Sequence, residues 1–104
     1  MKTVLFELPA FPRLRKALVA DRLFSRVRGL IGRDGLPEDT GMIIEKCNSI
    51  HTLFMRFPIH AVFLGKNGEV VKIVRDIKPW TFCVWGGMRA RRTLELDARR
   101  HPSA

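Results

Sequence analysis

Apolar and polar positions alternate over most of this chain, a period that is typical of β-strands. The pattern is densest over residues 47–74. Within that stretch, residues 59–64 and 69–74 are rich in β-branched and aromatic side chains, and Asn67-Gly68 between them is a strong signal for a tight turn. We therefore predict an antiparallel hairpin with strands at 59–64 and 69–74. Both of its faces are partly apolar, so we expect both to be covered.

In the first strand of this hairpin, the two-residue period assigns alternate side chains to opposite faces of the sheet. Ile59, Ala61 and Phe63 are predicted to share one face, and His60 and Val62 the other.

Four further segments fit short strands, and their spacing favours a β-rich domain. They are residues 2–7, 42–45, 81–85 and 92–96. Residues 14–19 fit either a strand or part of a helix. Together with the hairpin, these segments predict a mainly β domain of the α+β class. It would be an antiparallel β-sandwich or a partly open barrel, with one short helix.

The one predicted helix covers about residues 22–31, where apolar side chains recur at helical spacing. Its apolar face would consist of Leu23, Phe24, Val27, Leu30 and Ile31. Asp21 is a suitable N-cap, and Gly32 is a suitable stop. A helix of this length cannot form a helical domain, so we expect it to cover one end of a sheet.

The length of the chain, 104 residues, fits a single domain spanning residues 1–104. No apolar run is long enough to cross a bilayer, so we predict no transmembrane segment. Glu7 and Pro9 interrupt the apolar start of the chain, which argues against a signal peptide. We therefore expect a cytoplasmic protein whose two cysteines are thiols or ligands and do not form a disulfide.

The formal net charge of +9 is concentrated at the two ends of the chain. Residues 1–33 contain eight basic and two acidic side chains, residues 34–88 contain six of each, and residues 89–104 contain five basic and two acidic. A basic surface of this kind attracts polyanions, including nucleic acid. The predicted polyanion surface consists of Arg22, Arg26, Arg28, Arg33, Arg89, Arg91 and Arg92.

This arginine set carries no further signature of a nucleic-acid-binding protein. In the sequence, no aromatic platform is interleaved with the arginines, and no helix-turn-helix or RNA-binding sheet motif occurs. Binding of nucleic acid through this surface would be non-specific and strongly salt-dependent. The alternative is that the basic ends are simply solvated.

Cys47 and His51 are four residues apart, so they share a face on either a helix or a strand. With Cys83 they could supply thiolate and imidazole ligands suited to zinc or copper. Their spacing matches no known zinc pattern, and the alternative is a buried thiol beside a hydrogen-bonded histidine. A Cys–His nucleophile would need a group that orients the histidine, which the sequence does not indicate. We therefore assign no catalytic residue and no required cofactor, and we do not expect an enzyme.

Several segments of the chain together resemble the domain of unknown function 192 family of bacterial and archaeal proteins. The matching segments are RVRGLIGR (26–33), GMII (41–44), SIHTLFMRFPI (49–59), AVFLGKNGEVVKIV (61–74), KPW (78–80) and TLELDA (93–98). The resemblance covers about residues 18–98 and implies a compact β-rich sandwich with a short helix. It implies no agreed biochemical activity.

Two features of the chain depart from the family pattern. The family commonly has an Asp where this chain has His60, and it usually continues beyond the Leu-Glu-Leu strand through a glycine into a further segment. Here residues 99–104 form a polar tail that we expect to be disordered. A missing terminal strand would leave an exposed sheet edge through which two copies could pair.

His51, Arg56 and Trp80 lie in the segments that carry the resemblance, and each can bind a ligand in a different way. Arg56 offers a two-pronged contact for an anion, Trp80 a stacking face and His51 a hydrogen bond. The alternative is that Arg56 packs along its aromatic neighbours and that Trp80 and Phe54 are core residues. We predict a binding or accessory module for a small anionic or polar ligand. Nucleic-acid binding and a metal-dependent or Cys–His enzyme are the alternatives.

Overall fold

The computed structural model describes residues 2–102, without the side chains of Leu23, Phe24 and Val27. These residues form eight strands: β1 (Lys2–Leu5), β2 (Lys16–Ala20), β3 (Thr40–Ile44), β4 (Ser49–Ile50), β5 (Ile59–Leu64), β6 (Val70–Ile77), β7 (Val84–Trp85) and β8 (Arg92–Asp97). They also form one α-helix, α1 (Leu23–Arg28), and one 3-10 helix (Ala98–Arg100). The structure confirms the predicted fold class, which is mainly β with one short helix.

Six of these strands form one large sheet in the order β1-β2-β3-β8-β5-β6, and β4 and β7 form a separate pair. The edges of the large sheet are β1 and β6, so it is open and not closed into a barrel. Neighbouring strands are antiparallel except for β2 and β3. That pair is parallel because the connection through α1 returns the chain to the end of the sheet where β2 began.

The predicted hairpin is present as β5 and β6, and β5 has the predicted limits. At the turn the Gly68 N–H donates to the Gly65 carbonyl (3.0 Å), and Gly68 adopts a φ of +80°, which favours glycine. β6 continues to Ile77, three residues beyond the predicted end. Every residue of β5 is buried, whereas β6 is an edge strand with several exposed residues. Coverage of both faces therefore holds for β5 and not for β6.

The side chains of β5 divide between two apolar clusters, one on each face of the large sheet. Ile59, Ala61 and Phe63 belong to one cluster, and Val62 belongs to the other. These are the two sets that the sequence predicts, so the predicted facing of these side chains is confirmed.

His60 is fully buried on the Val62 face of the sheet, where its ring stacks on Phe11 at a centroid distance of 5.6 Å. Its Nδ1 accepts a hydrogen bond from the Asp76 N–H (3.0 Å), and its Nε2 donates to the His101 carbonyl (2.6 Å). Both ring nitrogens are thus satisfied inside the core. At the position where the family commonly has an Asp, this chain has a structural histidine.

The helix α1 is shorter than predicted at both ends. Its N-cap residue is Arg22, whose N–H donates to Ser25 Oγ (3.3 Å), so the assignment of Asp21 as the N-cap is wrong. The helix ends at Gly29, which adopts a φ of +50° and donates its N–H to the Ser25 carbonyl (2.9 Å). Gly29 therefore ends the helix three residues before Gly32, because it already supplies the C-terminal turn.

The predicted apolar face of the helix can be compared with the structure only in part. At Leu23, Phe24 and Val27 it lies outside the described side chains. Leu30 is buried and Ile31 is half-buried, and both follow the helix in a turn. The apolar pattern of the sequence therefore extends beyond the helix that it helped to predict.

The chain after β8 differs from the disordered tail that we expected at residues 99–104. The buried Asp97 carboxylate accepts hydrogen bonds from the Leu36 N–H (3.1 Å) and the Arg99 N–H (3.0 Å). These bonds hold the 3-10 helix against the sheet, and His101 after it is buried. Residues 103–104 of the predicted tail lie outside the described residues.

The strand β8 lies in the centre of the large sheet, between β3 and β5. It therefore does not leave the exposed edge that we expected near the end of the family-like region. The edges that could pair with a second copy are β1 and β6, and such pairing stays a prediction. Over residues 2–102, none of the helices has the length and apolar character needed to cross a membrane.

Candidate functional site

A cleft of about 90 Å³ opens where α1 and the turn after it meet β3, β8 and the segment 47–55. We name it the Glu95 cleft, after the carboxyl group in its wall. Side chains such as Leu30, Ile44 and Met55 form its apolar surface. Its polar groups belong to Arg26, Arg28, Cys47, Ser49, His51 and Glu95.

The Glu95 cleft joins parts of the chain that are distant in sequence. Apart from Cys47, its lining residues come from four of the segments that carry the family resemblance: 26–33, 41–44, 49–59 and 93–98. Much of what makes this chain resemble its family is therefore gathered around one opening.

The alternation of β8 places Glu95 in the wall of this cleft. Leu94 and Leu96 belong to the apolar cluster on one face of the sheet, so Thr93, Glu95 and Asp97 are on the other face. That face is covered by α1 and by the segments that follow α1 and β3, and all three polar side chains are buried. β8 therefore has three polar side chains on a face that other segments of the chain bury.

The carboxyl group of Glu95 lies close to the end of α1. A Cβ atom placed on Gly29 would be 3.8 Å from Glu95 Oε1 and 3.6 Å from Ile44 Cδ1. The backbone of Gly29 therefore passes directly over this carboxyl group. Because Gly29 adopts a φ of +50°, the close approach and the end of the helix occur at the same residue.

Glu95 and Asp97 are two residues apart on β8, yet the pKa values of their carboxyl groups shift in opposite directions. Burial on its own would raise the pKa of Asp97, but hydrogen bonds from Arg99 and Leu36 outweigh it and lower the pKa. No hydrogen bond or neighbouring charge in the described part of the chain offsets the burial of Glu95, which raises its pKa to about 7. Asp97 is thus a satisfied structural carboxylate, whereas Glu95 is a buried acid that exchanges its proton near neutral pH.

The thiol of Cys47 lies in the same cleft and stays protonated at neutral pH. Burial raises its pKa, hydrogen bonds from Thr93 and to the Ser49 carbonyl (3.1 Å) oppose that rise, and the charge of Glu95 adds to it. A nucleophilic cysteine needs a lowered pKa. The raised pKa of Cys47 therefore gives no support to a Cys–His nucleophile that uses this thiol.

His51 is an exposed residue at the rim of the cleft. Its Nδ1 accepts a hydrogen bond from the Leu53 N–H (3.2 Å). In the neutral ring the proton must then be on Nε2, which leaves His51 a free N–H donor. With the guanidinium groups of Arg26 and Arg28, it gives the cleft an excess of donors over acceptors.

The structure does not bring the three predicted ligand-binding residues into one cavity. His51 lines the Glu95 cleft, but Arg56 is paired with Asp34 at 2.8 Å on the surface. Trp80 packs against Phe54 with a ring-centroid distance of 4.8 Å, and both side chains are more than half exposed. The alternative that Trp80 and Phe54 are core residues is therefore wrong. Both adopt a positive φ (68° and 65°), which turns their side chains outward.

The predicted metal ligands are not assembled either. Cys47 is half-buried in the cleft, and Cys83 is exposed on another loop. Within the described part of the chain, no three side chains of the His, Cys, Asp or Glu type are grouped so that they could hold a metal ion. Cys47 and His51 do line the same cleft, as their spacing predicts, but a third ligand is not added.

The predicted arginine surface is divided between two features. Arg26 and Arg28 line the Glu95 cleft, and Arg91 and Arg92 line a second groove of about 460 Å³. Arg92 is also paired with Glu45 at 2.9 Å. The other members of the set, Arg22, Arg33 and Arg89, line neither feature.

Glu95 is the residue that sequence reasoning missed. The signal lies in the neighbouring strand: β5 is apolar on both faces, and β8 pairs with it. β8 is a central strand with β5 on one side and β3 on the other, so its alternate polar residues are buried, unlike those of the edge strand β6. On that basis a glutamate between two leucines in β8 is a candidate site residue.

The fold of the chain is shared with proteins of known structure. It matches a protein of unknown function from Novosphingobium aromaticivorans with a TM-score of 0.71 and 19% identity, over 86% of this chain and 70% of that one. It matches a candidate transcription regulator from Sinorhizobium meliloti with a TM-score of 0.74 and 19% identity, over 82% of this chain and 70% of that one. No curated protein matches the chain.

The family model for the domain of unknown function 192, described as an uncharacterized ACR, matches residues 12–101. That span contains every segment on which the sequence resemblance rests and all lining residues of the Glu95 cleft. The chain belongs to the domain of unknown function 192 family.

Proposed function

We propose that the Glu95 cleft binds a small anionic ligand and that the protein is a cytoplasmic binding or accessory module. The observation that carries this proposal is the buried Glu95 carboxyl, which has a pKa of about 7 and faces a cleft that also presents Arg26 and His51. In its protonated form this carboxyl is a hydrogen-bond donor. The Arg26 guanidinium group and the His51 ring line the same cleft, so the polar side of the ligand must accept hydrogen bonds.

The size and surface of the cleft limit the ligand further. Its volume of about 90 Å³ is roughly that of three waters in the liquid, at about 30 Å³ each. A carboxylate with a short apolar substituent fits that space and matches the apolar surface formed by Leu30, Ile44 and Met55. We therefore propose short carboxylates, or the carboxylate end of a larger molecule, as the ligand class.

Binding of such an anion is coupled to a proton on Glu95. An anion next to an ionised Glu95 would meet a like charge in a poorly solvated place, whereas protonation removes the repulsion and adds a donor. If only the protonated form binds, affinity is nearly constant below pH 6 and falls about tenfold for each pH unit above 7.

The proposal is tested by titrating the ¹⁵N-labelled protein with acetate, propionate and butyrate at pH 6 and pH 8, and with the matching amides. We expect amide-resonance shifts at Gly29, Ile44 and Glu95 with the acids at pH 6, with about tenfold weaker affinity at pH 8. The amides should give no comparable response. Absence of carboxylate-dependent shifts in this cleft at both pH values would contradict the proposal.

Three variants separate the roles of the cleft residues. Glu95→Gln imitates the protonated acid, so its affinity for butyrate should stay the same at pH 6 and pH 8. Arg26→Gln removes a cation from the cleft and should weaken binding at both pH values. Arg22→Gln, on the exposed N-terminal end of the same helix, is the matched control and should bind like the unaltered chain.

A further inference from the structure

A second surface departs from the usual pattern of burial, because large apolar side chains are exposed on it. Among the side chains that the structure describes, seven large apolar ones are exposed, and five of these lie on two segments, 45–58 and 78–92. We name these five the aromatic face: Phe54, Trp80, Phe82, Trp85 and Met88, which are between 54% and 82% exposed. Single exposed apolar residues are ordinary, but a concentration of them on one surface indicates an interaction.

The two segments are fastened to each other by the buried Thr52. Its carbonyl accepts from the Trp80 N–H (2.8 Å), and its N–H donates to the Thr81 carbonyl (2.9 Å). Its hydroxyl donates to the Lys78 carbonyl (2.6 Å) and accepts from the Thr81 N–H (2.8 Å). β4 and β7 pair next to this junction. Segments 45–58 and 78–92 are therefore joined by hydrogen bonds and are not two independent loops.

The outward position of two rings is associated with strain in the backbone. Phe54 and Trp80 adopt φ values of 65° and 68°, a region that bulky L-residues avoid at a cost of about 1–2 kcal/mol each. Their rings then meet in solvent at 4.8 Å, with planes tilted by 57°. Residues held in such conformations by surrounding structure cluster at binding sites.

The surroundings of the aromatic face are strongly basic. Segments 45–58 and 78–92 together contain six basic side chains and one acidic side chain, Glu45, which is paired with Arg92 at 2.9 Å. The groove of about 460 Å³ that adjoins them is lined by Lys46, Lys66 and Arg91 in addition to that ion pair. Asn48 is part of the groove wall, and its carbonyl accepts a hydrogen bond from the Gly86 N–H (2.8 Å). Trp85 directly precedes Gly86 in the sequence.

We propose that the aromatic face and the basic groove bind single-stranded nucleic acid. Phosphates occupy the groove beside Lys46, Lys66 and Arg91, and unpaired bases stack on the exposed rings of Trp80 and Trp85. A cationic groove combined with aromatic stacking platforms is the arrangement by which proteins hold single strands without reading sequence. A duplex cannot use the rings, because its bases are stacked on each other.

A negatively charged membrane surface is the other occupant that this combination of charge and aromatic residues suggests. A bilayer is flat on the scale of this protein, so it would contact the protruding rings and leave the basic groove empty. A single strand fills both. The aromatic face shares no residue with the lining of the Glu95 cleft, and the basic groove shares Cys47 with it, which the proposal does not use.

The experiment uses the intrinsic fluorescence of the full chain, since both of its tryptophans, Trp80 and Trp85, lie on the aromatic face. The probe is a thymidine oligonucleotide of about ten nucleotides. We expect quenching on binding, and for about three phosphate contacts the affinity should fall roughly 20-fold between 50 and 200 mM salt. A duplex of the same length should bind at least fivefold more weakly and give little quenching.

Three variants test where the oligonucleotide binds. Trp80→Ala, observed through Trp85, should weaken binding by about fivefold or more, because a base loses its stacking partner. Arg91→Gln should lower affinity and reduce the steepness of the salt dependence, with a change of about 0.7 in the logarithmic slope for one lost phosphate contact. Leu5→Ala removes an exposed apolar side chain from β1, at the far edge of the large sheet, and should leave binding unchanged.

Three results would overturn the proposal. The first is equal affinity for the duplex and the single strand, which would show phosphate contacts without stacking. The second is quenching by phosphatidylserine-containing vesicles and none by the oligonucleotide, which would assign the face to a membrane. The third is no response to either probe at 50 mM salt from protein whose circular dichroism shows the β-sheet intact.

Trp85→Ala repeats the stacking test if Trp80→Ala does not fold.

Discussion

The Glu95 cleft and the aromatic face are opposite departures from the rule that apolar groups go inside and polar groups outside. In the cleft, a carboxyl group whose pKa is raised by desolvation is buried on a strand in the centre of the large sheet. On the aromatic face, rings are exposed on irregular chain that is held by Thr52. In the cleft, the cost is desolvation of a charge; on the aromatic face, it is backbone strain and exposed apolar surface.

The difference shows how each region can respond to its surroundings. Desolvation of Glu95 depends on protonation, so the cleft should respond to pH. Strain at Phe54 and Trp80 does not depend on protonation, so the aromatic face should respond to salt and to ligands that cover the rings. The tests below alter one region at a time, beginning with the change of largest expected effect.

Packing between the aromatic face and the core should fail if Gly86 gains a methyl group. A Cβ atom at Gly86 would be 2.2 Å from Cδ1 of the fully buried Phe63 ring, which cannot move without disturbing the core. We expect Gly86→Ala to lower the free energy of unfolding by about 3 kcal/mol or more in urea titrations. Gly87→Ala is the matched control: it meets no atom within 4 Å, but its φ of +98° should cost about 1 kcal/mol. Equal losses at the two glycines would contradict this packing.

The pH dependence of stability should distinguish the cleft from the rest of the molecule. Between pH 4.5 and 7 the folded chain holds a proton on Glu95 that the unfolded chain releases, so the free energy of unfolding falls as pH rises through this window. The full loss is about 3 kcal/mol, from a pKa raised from 4.5 to about 7 at 1.36 kcal/mol per unit. Glu95→Gln should remove this part of the pH dependence and be the more stable chain at pH 8. An unchanged slope in urea titrations at pH 5, 6, 7 and 8 would contradict it.

The platform under the aromatic face should loosen when Thr52 loses its hydroxyl. Thr52→Val leaves the Lys78 carbonyl and the Thr81 N–H with one partner fewer, and we expect a loss of about 2 kcal/mol. Thr81→Val is the control: the half-buried Thr81 hydroxyl donates to the same Lys78 carbonyl (2.8 Å), so this substitution removes one hydrogen bond and should cost about 0.5–1 kcal/mol. Thr52→Val should also weaken oligonucleotide binding. If it destabilises the chain and leaves binding intact, the platform does not position the rings.

If the backbone at Trp80 is strained, replacing Trp80 with glycine should hardly change the free energy of unfolding. Trp80→Gly removes a large side chain but also releases a positive φ, and the ring contact with Phe54 is worth only about 0.5–1.5 kcal/mol. We expect the free energy of unfolding to change by no more than about 1 kcal/mol in urea, while oligonucleotide binding is lost. A loss of several kcal/mol would mean that Trp80 is a packing residue.

The parts of this structure that were predictable from sequence depend on local signals. The turn at Gly68 and the alternation of β5 together define a hairpin and the facing of its side chains, because both act within a few residues. Cys47 and His51 line the same cleft, in keeping with the shared face predicted from their spacing, and ligand binding by His51 stays a prediction. The short helix was predicted, but its ends were not, because Gly29 already ends it three residues before Gly32.

The parts that were missed depend on distant contacts. Glu95 is buried because α1 and the segment 47–55 cover its face of the sheet, and alternation alone marks that face as solvent. Phe54 and Trp80 were candidates for the core because aromatic residues are usually buried. Their outward direction follows from positive φ angles that the contacts of Thr52 sustain, and no local signal in the sequence encodes these angles.

The titration of Glu95 itself distinguishes a functional cleft from an ordinary buried strand. The carboxyl carbon of Glu95, labelled with ¹³C and assigned by comparison with Glu95→Gln, can be followed by NMR from pH 3 to pH 9. The structure predicts a midpoint near 7, and binding of butyrate should move it higher because the anion favours the protonated acid. A midpoint close to 4.5, unchanged by butyrate, would show a hydrated or paired carboxylate and would contradict the Glu95 cleft as a binding site.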